Sequence, residues 1–207
     1  MFAENTFSMM LAANYFSRMH ALSQDPWGLR TRWHESRKRR ITRAALPRRH
    51  YDAAFELGCS VGELGATLAP LCDSYLAWDR SRVARKAAAR RLAHFAHARV
   101  ECADARRRWP DATFDLIILS EIGYYFDEAE LANIVARCRA SLRSSGTLLG
   151  CHWRHRVDHC PLSGDRVQAI IGEVAGLRPW LRHVEDDFRL DVWCDADKSV
   201  ACDEGPL

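Results

Sequence analysis

The stretch Phe55-Glu56-Leu57-Gly58-Cys59-Ser60-Val61-Gly62 decides how this chain is read. An apolar run, Tyr51–Leu57, leads into it, and a short helical pattern over residues 62–70 follows. A strand, a glycine turn and a helix in that order open a βαβ unit. Glycine lets the backbone turn sharply and lets a ligand approach with no Cβ in the way. A dinucleotide fingerprint would need G-x-G-x-x-G. Its three places hold Gly58, Ser60 and Glu63, and a carboxylate at the third suits a pyrophosphate poorly. A phosphate-binding P-loop is excluded as well, because no Gly-Lys-Ser/Thr follows.

Outward from the turn, the same alternation continues. Residues 75–78 are a second apolar run, ended by Asp79. Ser81 caps an Ala/Arg-rich helix reaching about His94. Residues 99–102 form a weaker third strand ending near Asp104, and residues 114–119 (Phe-Asp-Leu-Ile-Ile-Leu) are the clearest strand in the chain. Asp127 caps a helix running to about Leu142, Ser144-Ser145-Gly146 is a turn, and residues 147–153 are a fifth strand. A helix over 164–174 follows, and residues 180–185 and 188–194 close the pattern as a hairpin around Asp186-Asp187. Such spacing predicts an α/β fold: a doubly wound, mostly parallel, seven-stranded Rossmann-like sheet with an antiparallel closing hairpin. Upstream, Asp25-Pro26-Trp27 opens a helix that runs to about Arg43 and stops before Pro47. Residues 1–50 are therefore expected as a helical cover, 51–197 as the main domain, and 198–207 as a flexible tail; the first 25 or so carry only weak helical patterning.

Composition narrows the class. The chain has 207 residues, 48% hydrophobic and 28% charged, which supports one sizeable core and argues against wholesale disorder. The net charge is only +3, but it is uneven. Residues 30–49 hold nine Lys or Arg against Glu35, and residues 185–207 hold eight acidic residues against Arg189 and Lys198. Two readings of the basic stretch stay open: a solvated amphipathic helix, or a surface for an anionic substrate or nucleic acid. The eight cysteines sit mostly within apolar runs and read as small buried hydrophobes. No stretch approaches the roughly 20 apolar residues of a membrane span, and no secretory signal is evident, so a reduced, cytoplasmic protein is expected. Cys151, His152, His155, His159 and Cys160 form a tempting metal cluster, but Cys151 and His152 would face opposite sides of a strand and no C-x-x-C accompanies them, so no metal is expected.

The spacing from Glu56 to Gly62 resembles motif I of the class I S-adenosylmethionine-dependent methyltransferases: an acidic residue, an apolar one, then G-x-G-x-G, with Ser60 in place of the middle glycine. The resemblance implies S-adenosyl-L-methionine as cofactor, with Glu56, Gly58, Ser60 and Gly62 around its methionine part. A carboxylate is favourable beside a sulfonium, where it would repel phosphate. Asp79, seventeen residues beyond Gly62, can accept both ribose hydroxyls, with Arg80 next to it. Asp104 resembles the family residue that meets the adenine amino group, Ala105 supplies a backbone donor, Ser120 stands at the mouth of the crevice, and Trp27 covers it. A narrower likeness spans about residues 25–194. Asp25-Pro26-Trp27, Glu56-Leu57-Gly58-Cys59 and Leu119-Ser120-Glu121-Ile122-Gly123-Tyr124-Tyr125-Phe126 resemble the nodulation protein S family, which N-methylates an amino sugar of a lipochitooligosaccharide. Cys151-His152-Trp153-Arg154-His155 and Asp186-Asp187-Phe188-Arg189-Leu190 are similar to relatives found with N-acetylglucosaminyl deacetylases. The resemblance thus implies a small-molecule acceptor such as an amino sugar or glycolipid, and a functional pairing with a deacetylase.

Methyl transfer is a displacement at the sulfonium carbon, so the protein chiefly aligns the reactants, and a base is needed only where the nucleophile carries a proton. His152 is the first candidate for that base, and Glu121 and Tyr124, after the fourth strand, are the other candidate catalytic residues. Tyr124 and Tyr125 are also candidates for walling the methyl site or stacking on a sugar. Two other readings are a cofactor-binding regulatory protein without catalysis, and a nucleic-acid methyltransferase using the basic stretch. The second lacks the Asn/Asp-Pro-Pro-aromatic motif, since the chain has Ser120-Glu121-Ile122-Gly123 there.

Overall fold

A computed structural model describes residues 19, 23, 25–157, 160–195 and 199–203. In chain order the elements are α1 (Trp33–Ala44), β1 (Tyr51–Leu57), α2 (Glu63–Leu68), β2 (Cys72–Asp79), α3 (Arg82–Arg91), β3 (Ala98–Cys102), β4 (Phe114–Ser120), α4 (Glu128–Ser141), β5 (Leu142–Trp153), α5 (Gly164–Ala175), β6 (Pro179–Val184), β7 (Phe188–Cys194) and α6 (Val200–Asp203). Single 3₁₀ turns follow α2 at Ala69–Leu71 and β4 at Gly123–Tyr125.

The strands form one seven-stranded sheet in the order β3-β2-β1-β4-β5-β7-β6. The first five are parallel, and β7 runs antiparallel between β5 and β6. The order reverses between β1 and β4, and the crevice beyond the carboxyl ends of the strands at such a switch point is where ligands bind in open α/β sheets. The central strand β4 is buried through its first six residues, as its unbroken apolar run requires. Alternation splits the core in two. Phe55, Leu57, Ile117 and Leu119 meet α4 and α5 through Leu131, Ile134, Val167 and Ile171, while Ala54, Leu116, Ile118 and Leu149 meet Leu46, Leu68 and Ala88 on the other face. Asp115, at the start of β4, is buried and accepts from the backbone N–H groups of Asp52 and Ala53 and from Arg48 Nη1, which fixes the entry into β1.

Local signals explain most boundaries. Ser81 caps α3 by accepting from Ala84 N–H, and Asp127 with Glu130 forms a complete capping box on α4. Two expectations need correction. The N-terminal helix begins at Trp33, not at Asp25: Asp25 takes Leu29 N–H at 2.7 Å and Arg30 N–H at 2.9 Å, and Gly28 at φ 68° breaks the run. Residues 144–146 do not separate helix from strand, because β5 already starts at Leu142 and carries them as a bulge, with Ser145 at φ 56°. Within the stretch expected as a tail, Val200–Asp203 forms the short helix α6; residues 204–207, like most of the first 24, lie outside the described residues. Among the described residues no helix is long and apolar enough to cross a membrane.

Candidate functional site

A cavity of about 290 Å³ opens beyond the carboxyl ends of the parallel strands. The glycine turn forms its floor. Gly58 N–H and Cys59 N–H both donate to Trp78 O, at 2.8 and 3.0 Å, so the turn is tied to the end of β2. Gly58, Ser60 and Gly62 have φ of 80°, 48° and 84°. Gly58 has a second constraint: an added Cβ would lie 2.8 Å from Ile122 Cδ1, across the cavity wall. Asp79 ends β2 and closes the turn. Its Oδ2 accepts Ser60 N–H at 2.9 Å and its Oδ1 accepts Ser81 N–H at 2.7 Å. Burial pushes the Asp79 carboxyl up to about 6, against the pull of those two backbone donors. Each oxygen keeps a lone pair for a further donor. Ser60 Oγ and Trp78 Nε1 are buried and have no hydrogen-bond partner, although both residues line the cavity.

The other end of the cavity, beyond β4 and β5, is charged. Glu121 sits at φ 54°, a left-handed conformation that costs energy for a residue with a side chain and clusters at functional sites. Its Oε1 accepts from Lys38 Nζ at 2.8 Å, and its Oε2 accepts from Tyr124 Oη at 2.6 Å and Trp153 N–H at 3.2 Å. Lys38 comes from α1 and also donates to Glu35 at 3.0 Å. The Lys38 side chain is 6% exposed, yet burial does not discharge it, because Glu121 and Glu35 hold the ammonium charged. Burial, the largest single influence, would push the Glu121 carboxyl up, but the Lys38 charge together with the hydrogen bonds from Lys38 and Tyr124 keeps the group below the usual carboxylate range. Tyr124 is held protonated by burial and by the carboxylate it donates to.

The family model for nodulation protein S (NodS) matches residues 14–169 of this chain. The chain belongs to the nodulation protein S family. A NodS-family protein of Bradyrhizobium diazoefficiens, nodulation protein S itself, is 30% identical over 128 residues, 60% of this chain and 61% of its own length. The chain spans about 60% of the length of the curated NodS relatives it matches. A protein from Pseudomonas syringae, crystallised as a proposed methyltransferase, is 43% identical with a TM-score of 0.70, covering 79% of this chain and 99% of that one. The N-methyltransferase NodS of Bradyrhizobium japonicum, solved with S-adenosyl-L-homocysteine, shares the fold at a TM-score of 0.79 and 20% identity, covering 89% of this chain and 98% of that one.

Within this NodS-type fold, the cavity gathers Trp27, Gly58, Ser60, Asp79, Arg80, Asp104, Ala105, Glu121 and Tyr124 from the residues singled out in the sequence. Tyr125 and Trp153 join them. Four others stand apart. Glu56 is 2% exposed and turns away from the cavity to accept from Tyr75 Oη at 2.8 Å, and burial pushes its carboxyl up to about 7. Gly62 serves the turn, with Ala88 packed against it, and Ser120 lies in β4 below the rim. His152 is the clearest departure from expectation. It is fully buried, its Nε2 accepts Gly123 N–H at 3.0 Å, and burial lowers its pKa to about 4. Its free lone pair is therefore used by the backbone, and it supports the turn after β4 without reaching the cavity. The sequence reading passed over His34, Glu35, Lys38, Trp78, Arg106 and Phe126, all of which line the cavity. Only the Glu35-Lys38 spacing, one helical turn apart, hinted at a paired inward face. The basic stretch is neither a free solvated face nor an open basic stripe throughout: Arg37 holds Glu185 through two bonds of 2.6 and 2.7 Å, Lys38 is buried, and Arg39 donates to Leu29 O. Of the suspected metal ligands, His155 pairs with Asp187 at 2.8 Å and His159 lies outside the described residues. Among the described residues no three His, Cys, Asp or Glu side chains converge on one point.

Proposed function

We propose that this chain is an S-adenosylmethionine-dependent methyltransferase that transfers a methyl group to the amine of a small acceptor, such as a deacetylated amino sugar or related glycoconjugate. The observation that carries the reading is the cavity at the switch point, with the Asp79 carboxylate and the unpartnered Ser60 hydroxyl at one end and the Glu121–Tyr124 pair at the other. These groups fit the cofactor. Asp79 would accept from the ribose hydroxyls, Asp104 and Ala105 would border the adenine, the 58–62 turn would pass beneath the methionine part, and Trp27 would cover it. When bound, S-adenosylmethionine supplies an electrophilic methyl group on a positively charged sulfur.

The rest falls to the protein's own side chains. Asp79 sets the turn by holding Ser60 N–H, so the floor is preformed. Tyr124, Tyr125 and Trp153 wall the side remote from Asp79 and exclude water from it. Strands lie about 4.8 Å apart, so Glu121, just beyond the end of β4, stands roughly 10 Å from the β2 end, a separation suited to an acceptor lying beyond a nucleoside. An amine acceptor of this kind would come from an amide-cleaving reaction such as a deacetylation. The buried, unpaired thiols of Cys59, Cys72, Cys138, Cys151 and Cys194 suit a reducing, cytoplasmic setting.

Calorimetry with S-adenosyl-L-homocysteine tests the reading. Wild type should bind, and Asp79→Ala should lose about 2–4 kcal/mol, since two hydroxyls lose a charged acceptor and the turn loses its tie. Equal affinity of the two proteins removes Asp79 from the site. Methyl transfer to deacetylated chito-oligosaccharides is the next assay, and inactivity toward every amine tried would leave the amino-sugar assignment without support.

A further inference from the structure

Lys38 is a costly residue to keep where it is. It leaves α1, crosses to Glu121 83 positions later, and buries an ion pair at the cavity edge. Buried ion pairs are often no more stabilising than apolar replacements of the same shape, so stability alone does not account for this one. Its consequence is local. An ionised carboxylate is acceptor-only, whereas a protonated one donates. Lys38 and Glu35 of α1, Tyr124 of the 3₁₀ turn, and His152 with the Trp153 N–H of β5 face Glu121. The single hydrogen of Tyr124 Oη already points to Glu121 Oε2. What remains open toward the cavity is therefore a pair of acceptors: lone pairs on Tyr124 Oη, and one on Glu121 Oε1.

Two neighbouring acceptors discriminate between nucleophiles. A neutral primary amine, the form whose lone pair can take a methyl group, offers two N–H donors and can satisfy both. An alcohol offers one O–H, which leaves an oxygen lone pair facing the second acceptor. We propose that Glu121 Oε1 and Tyr124 Oη together receive the N–H groups of an amine acceptor, and that Lys38 is the positioning residue that keeps Glu121 acceptor-only and in place. The proposal rests on the methyltransferase reading above. The strained backbone of Glu121 agrees with it, since φ 54° is what aims the carboxylate between Lys38 and Tyr124.

The test uses the full chain as wild type, K38M, K38R and E121Q. Each is first titrated with S-adenosyl-L-homocysteine by calorimetry. Methyl transfer from S-adenosylmethionine is then measured on two pairs of probes: chitotetraose with one free amine against its fully N-acetylated form, and benzylamine against benzyl alcohol. Wild type should prefer the amine in each pair. K38M should lose at least about tenfold in kcat/KM for the amines, mostly through KM, while its affinity for S-adenosyl-L-homocysteine stays within about twofold. K38R, which keeps the charge, should recover part of the loss. Wild type that fails to bind S-adenosyl-L-homocysteine removes the methyltransferase reading itself. Wild type that binds it but shows no preference for the amine in either pair overturns the amine site alone, and so does K38M with unchanged kcat/KM. Should K38M not fold, E121Q carries the same test, because its amide places a donor where the proposal needs an acceptor.

Discussion

Replacing Glu56 by Gln should make the protein's stability less sensitive to pH, and by a calculable amount. Glu56 is 2% exposed, has Tyr75 Oη as its hydrogen-bonding partner, and has its carboxyl pushed up to about 7 from an ordinary 4.5, chiefly by burial. Its folded pKa thus lies above its unfolded one. Between about pH 4.5 and 7 the native state keeps a proton that the unfolded chain releases, so this group's stabilising contribution is present at low pH and is lost as pH rises through 7. The gap between 4.5 and about 7 corresponds to about 3–4 kcal/mol at most, of which about 2–3 kcal/mol develops between pH 5 and pH 8. Gln has no such titration, and its amide oxygen can still accept from Tyr75. Urea unfolding of both proteins at pH 5 and pH 8 isolates the contribution of this carboxyl, since all other titrating groups are common to the two. The variant should gain about 2–3 kcal/mol on wild type between those pH values. A stability difference that stays constant within about 0.5 kcal/mol would show that Glu56 ionises normally and that its placement behind the turn is wrong. Affinity of the variant for S-adenosyl-L-homocysteine should change by less than about threefold, because the side chain faces Tyr75 and not the cavity.

Gly58→Ala should lower stability by about 1–3 kcal/mol and weaken S-adenosyl-L-homocysteine binding, because the new methyl meets Ile122 at φ 80°; differential scanning calorimetry and a ligand titration check both, and an unaltered protein refutes the tight turn. The ring resonances of His152 should show no titration between pH 5 and pH 8, since its pKa is lowered to about 4 by burial. A midpoint near 6.5 in its NMR titration would return it to the role of a base. Its linkage has the opposite sign to that of Glu56: the depressed folded pKa means that stability is lost as pH falls from about 6.5 toward 4, and the acid limb of a pH–stability profile should weaken when His152 is replaced.

The sequence by itself determined the layered α/β fold and the order of the strand ends. Those follow from near-neighbour patterns: short apolar runs, caps such as Asp127, and a glycine turn after the first strand. Because βαβ connections are right-handed, placing the strands in order also placed Gly58, Asp79 and Asp104 beside one crevice. Tertiary structure alone decided which side chains face that crevice. Glu56 and His152 have suitable chemistry, but rotation within the packed sheet turned both into the protein. Lys38 reads as one cation among nine in residues 30–49, and only the tertiary placement of α1 brings it to Glu121, beyond the end of β4. The division has a physical cause: periodicity and capping act over a few residues, whereas the environment of a charged side chain is set by contacts many residues away, and those fix its protonation and its role.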